Sequence, residues 1–66
     1  MRIRIGAQAS NRNDKQIGFI SNIFEENGKT ILVIEDEYEI PVYPSDVEEI
    51  IDLVRGLSWF RIKTLP

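Results

Sequence analysis

The sequence predicts a mostly β domain with one helix, in the order β-β-β-β-α-β, its strands forming a small curled antiparallel sheet. Three observations predict this. Apolar and polar residues alternate with period two over several short runs, Asn27-Gly28 sits between two of those runs, and the period lengthens to helical spacing after Pro44. At 66 residues the chain has room for one core, so residues 1–66 are expected to form a single small domain.

Met1 to Ile5 alternates Arg with Ile and predicts a first strand, with Ile3 and Ile5 inward and Arg2 and Arg4 outward. Gly6 to Gln16 has no apolar period and reads as the longest loop. Ile17 to Phe24 carries apolar residues on both alternating sets, as a bent or doubly buried strand does, and Gly18 marks a place for the bend. Asn27-Gly28 then closes a hairpin, because both residues tolerate positive φ, and Thr30 to Ile34 is the returning strand. Glu35-Asp36-Glu37 is too polar for a core and forms the tip of a second hairpin. Tyr38, Ile40 and Val42 are the inward set of the fourth strand, and Pro41, lacking an N–H, is placed on a face or edge that needs no ladder donor. Val47, Ile50, Ile51, Val54 and Leu57 recur at helical spacing opposite Glu48, Glu49, Asp52 and Arg55, predicting a helix over about 46–55. Ser45 with Glu48 forms a capping box, and Gly56 stands where a helix C-cap falls. Trp59 to Leu65 returns to a strand, with Phe60 and Ile62 on one face and Trp59, Arg61 and Lys63 on the other.

The chain has no cysteine and no histidine, so neither a disulfide framework nor a thiolate or imidazole metal site is expected, and no cofactor is implied. Hydrolytic triads lose their usual base for the same reason. Glu35, Asp36 and Glu37 sit at a hairpin tip, without an apolar pocket to raise a carboxyl pKa and without the spaced ligands and central Gly of a calcium loop. The glycines form no phosphate-cradling series. These patterns predict a protein that is not an enzyme. The longest apolar run, Ile31 to Ile34, is far short of the roughly 20 residues that span a bilayer. With no long apolar stretch at the N-terminus, the expected compartment is the cytoplasm.

Charge is partitioned along the chain. Arg2, Arg4, Arg12 and Lys15 against Asp14 give +3 over residues 1–23; ten carboxylates against Lys29 give −9 over 24–54; Arg55, Arg61 and Lys63 give +3 at the end. If the first and last strands lie side by side, Arg2, Arg4, Trp59, Arg61 and Lys63 share one outward face, with Arg12 and Lys15 of the long loop nearby. Such a face suits an acidic protein patch, since Trp and Arg are enriched among interface hot spots. It also suits a nucleic acid, whose phosphates meet the cations and whose bases stack on the indole. In the plainer reading these cations pair across strands with Glu37 and Glu39, and Trp59 caps the core. The expectation is a non-catalytic module that recognises another macromolecule, a protein before a nucleic acid, because the −9 segment repels a polyanion. A regulatory or inhibitory role fits it.

Two resemblances follow from these residues. Gly18-Phe19-Ile20 opening a strand, Thr30 to Ile34 after the turn, and Ile40-Pro41-Val42 leading into Ser45-Asp46-Val47-Glu48 resemble a Src-homology-3-like small barrel of the KOW type. The resemblance implies a barrel whose last strand follows a helical turn. Tyr38-Glu39-Ile40-Pro41-Val42-Tyr43, followed by an acidic helix and a strand ending in Pro66, is similar to the small inhibitors of host RNA polymerase made by some coliphages. That similarity implies action without catalysis, by lodging a charged face in a polymerase cleft, and implies no particular functional residue.

Overall fold

A computed structural model describes residues 2–66 of the chain. Six strands follow in sequence: β1 (Gln8–Ser10), β2 (Gln16–Glu26), β3 (Lys29–Ile34), β4 (Tyr38–Val42), β5 (Val47–Asp52) and β6 (Leu57–Ile62). They form one sheet in the order β4-β3-β2-β1-β6-β5. Its only helical element among the described residues is a 3-10 turn, Pro44–Asp46.

The hairpins of the first half follow local chemistry. Asn27 and Gly28 turn with φ of 50° and 78°, the left-handed pair that matches the twist of β2 and β3. Glu35, Asp36 and Glu37 form the turn between β3 and β4, as their polarity predicts. β2 is long, and its register shifts between Ile20 and Asn22, so it bends and serves both β1 and β3. Pro41 lies on β4, one of the two edge strands, where its missing N–H costs no ladder bond.

The core gathers Ala9, Ile20, Leu32, Ile34, Val42, Val47, Phe60 and Ile62, all at most 4% exposed. Each large member contributes on the order of 2 kcal/mol by leaving water. Phe60 and Ile62 point inward, and Trp59 and Arg61 outward, as the alternation of the last strand predicts.

Three expectations are corrected. The helix over about 46–55 is absent, replaced by strand β5 and the turn 53–56. Val47, Ile50, Ile51 and Val54 are β-branched and favour extended backbone. β5 also pairs with β6 in register from Val47↔Ile62 to Asp52↔Leu57, which seats Val47 in the core. Ser45 lies inside the 3-10 turn rather than capping a helix, and Gly56, at φ 67°, serves the hairpin turn.

The strand expected at Met1 to Ile5 is also not formed. Met1 lies outside the described residues; Arg2 to Ala7 form no strand, Ile5 is 61% exposed, Ala7 N–H donates to Arg4 O across a turn, and only Gly6 N–H and Ala7 O reach β2, both at Ile20. The first strand is instead Gln8–Ser10, within the stretch expected to be a loop. Finally, the sheet is mixed rather than antiparallel, because β1 runs parallel to β6. Tertiary pairing between residues about fifty positions apart decides that direction, and no local pattern records it.

Candidate functional site

The outward side chains of β6 hold the residues expected to form a basic, tryptophan-bearing face. Cross-strand partners share a face, so the pairs Ile50↔Trp59, Trp59↔Gln8 and Gln8↔Phe19 form one outward row across β5, β6, β1 and β2. The adjacent row runs Glu48↔Arg61↔Ser10↔Gln16.

This face is occupied from within the chain. Asn11 Oδ1 accepts the N–H groups of Asn13 and Lys15, both at 2.9 Å, closing the β1–β2 loop. Asp14, in the left-handed region at φ 64°, is thereby presented to β6. It accepts hydrogen bonds from Trp59 Nε1 at 3.1 Å, Arg61 Nε at 2.8 Å and Arg61 Nη2 at 2.7 Å. The forked contact is the strong geometry for a guanidinium and a carboxylate. Arg61 Nη1 also reaches Glu48 Oε1 at 3.3 Å. The Arg61 hydrogen bond holds the Asp14 carboxyl below its ordinary range, and Asp14 in turn raises Arg61 above its own. Arg61 is thus clamped between two carboxylates, and the indole N–H of Trp59 has a partner.

The other expected residues do not converge on this face. Arg4 lies over the Phe60 ring, 5.3 Å from its centroid, and its Nη1 meets Glu49 Oε2 at 3.2 Å. Phe60 points inward, so Arg4 sits on the opposite side of the sheet from Trp59 and Arg61. Arg2 shares an open hollow with Ile3, Arg4 and Glu49. Arg12 and Lys15 are exposed on the β1–β2 loop, and Lys63 is exposed in the turn after β6. Of the cations expected to pair, Arg4 and Arg61 do so, with Glu49 and with Asp14 and Glu48 rather than with Glu37 and Glu39. Asp52 completes the set by meeting Arg55 at 3.7 Å. Every carboxylate of β5 therefore meets a cation, Glu48 sharing Arg61 with Asp14, while the ion pairs among the described residues leave out the acidic β3–β4 turn.

A different surface emerges from residues expected to form the buried stripe of a helix. From Ile51 to Ser58 only Asp52 is not exposed, so the β5–β6 hairpin projects as an arm beyond the core. Leu53 is 88% exposed and Val54 97%, with Ile51 and Leu57 also more than half exposed. Beside the turn, Ile5, Phe19 and Leu57 line an open hollow together with Arg4, Gln8 and Ser58. Surplus was the available signal in the sequence: the run Ile50-Ile51, Leu53-Val54 and Leu57 carries more apolar side chains than one short strand can bury. Among the described residues no helix is long and apolar enough to cross a membrane. Comparison with protein-family models, curated proteins and solved structures finds no match to this chain.

Proposed function

We propose that this protein is a non-catalytic module that binds protein, with the β5–β6 arm and the hollow beside its tip as the contact surface. The carrying observation is the exposure of Leu53 and Val54 at the tip of a hairpin, next to a hollow flanked by exposed Ile5, Phe19 and Leu57. Contiguous apolar surface of this kind on a small domain marks an interaction site.

The cations tied to Asp14, Glu48 and Glu49 are less free to release counterions, which favours protein over nucleic acid as the partner. The test compares capture of proteins from lysate by the immobilised chain, with and without nuclease. Capture should resist nuclease and be lost in the double variant Leu53→Asp/Val54→Asp, yet persist in Arg61→Glu/Lys63→Glu. Nuclease-sensitive capture, together with quenching of Trp59 by single-stranded RNA at low salt, would move the contact surface to the basic residues instead.

A further inference from the structure

We propose that the partner of the arm is a second copy of this chain, the two arms packing antiparallel about a two-fold axis. Leu53 and Val54 of each copy would then sit in the hollow lined by Ile5, Phe19 and Leu57 of the other. The proposal rests on reading the arm as a protein-docking surface and names its occupant.

Three observations carry it. The first is self-complementarity. A two-fold interface must use the same patch on both copies, so each patch needs both a projection and a recess. Here the projecting tip and the receiving hollow belong to one hairpin, the tip at Leu53-Val54 and the hollow opening at Leu57, the first residue after the turn and the partner of Asp52. Two arms overlapped antiparallel at their ends place each tip over the other's hollow.

Area is the second. Ile5, Phe19, Leu53, Val54 and Leu57 are between 49% and 97% exposed. Together they offer on the order of 600 Å² per chain, the lower end of the roughly 600–1,000 Å² that each partner gives a standard stable interface. A domain of 66 residues buries only about 60% of its unfolded surface alone, less than larger domains do, and gains from covering such a patch.

The third observation is charge. The chain carries −3, and two copies would repel if they met through their acidic ends. The unpaired carboxylates Asp36, Glu37 and Glu39 belong to the β3–β4 hairpin, at the opposite edge of the sheet from β5. On β5 each carboxylate meets a cation, Glu48 the Arg61 it shares with Asp14, Glu49 Arg4 and Asp52 Arg55. β5 is also an unpaired edge, free of the Pro that guards β4. Like copies therefore meet less uncompensated charge along this edge than along β4.

Sedimentation equilibrium of the purified chain, from about 1 µM to about 500 µM, tests the proposal over the range in which an interface of this size associates. A monomer–dimer equilibrium is expected, with no larger species. Leu53→Asp/Val54→Asp should sediment as a monomer throughout, its circular dichroism unchanged because both side chains are exposed. Phe19→Glu, in the hollow, should weaken the dimer at least tenfold without touching the tip. A wild-type chain that remains monomeric to the top of the range, or a dimer that survives both variants, overturns the proposal. If the wild type is monomeric while arm-dependent capture of a different protein persists, the second copy is wrong and the docking reading stands. If arm substitutions change neither property, both fall.

Discussion

Asp14 does more than its place in a polar loop suggests. One carboxylate ties the β1–β2 loop to Trp59 and Arg61 of the last strand, and it is the residue that removes the basic face from circulation. Its carboxyl, ordinarily near 3.8, is lowered chiefly by the Arg61 hydrogen bond. A carboxyl lowered in the folded state stabilises above its unfolded pKa, and that stabilisation is lost as pH falls through the folded value. Thermal unfolding should therefore show the wild type more stable than Asp14→Asn near pH 6, with the gap closing as pH drops from about 4 toward 2. A gap that does not change with pH would show that the clasp does not depend on the carboxylate charge. Gly18 is the second such residue. It has φ 136°, and a Cβ there would lie 2.7 Å from Glu35 Cγ and 2.8 Å from Ile34 Cγ2. Glu35 is held in that position because its Oε2 accepts the Phe19 N–H at 3.0 Å. Gly18→Ala should cost about 1–3 kcal/mol, read as a lower urea midpoint with unchanged slope.

At the scale of elements, the segment 46–55 decides how this protein is understood. Its apolar positions fit a helical stripe, and a strand followed by a turn uses the same letters, because residues 47 and 51 share a face in both. What separates the two is β-branching and the partner strand, and the partner lies across the turn at Leu57–Ile62. Far-UV circular dichroism should accordingly show sheet without a helical double minimum. β6 itself changes character along its length, with Leu57 exposed at the arm and Phe60 and Ile62 sealed in the core. Phe60→Ala should cost about 3–5 kcal/mol, comparable to the whole stability of a chain this short at about 0.1 kcal/mol per residue. Chemical denaturation should find that variant largely unfolded. By contrast, the Asn27-Gly28 and Glu35-Asp36-Glu37 turns were legible as written, because the backbone conformation each needs is chosen by the turn residues themselves.

For the molecule as a whole, carboxylates without ion pairs include those of the β3–β4 turn, ion pairs line β5, and the most exposed apolar side chains, Leu53 and Val54, project from the arm, with Tyr38 and Tyr43 exposed elsewhere. The parallel β1–β6 contact joins the two ends of the chain, so folding must close a long loop before that pairing stabilises anything. Stopped-flow refolding at low concentration should give a phase on the order of milliseconds to seconds, slower than helical domains of this length. By itself the sequence determined the strand-rich class, the two turns of the first half and the alternation that sends Phe60 inward and Trp59 outward. All of these rest on interactions within a few residues. Only the tertiary structure decided that 46–55 extends, that Gln8–Ser10 is the first strand, that β1 runs parallel to β6, and that Arg4 and Arg61 stand on opposite faces with carboxylates of their own. Those outcomes depend on which distant segment lies alongside, and pairing across the fold leaves no period in the sequence.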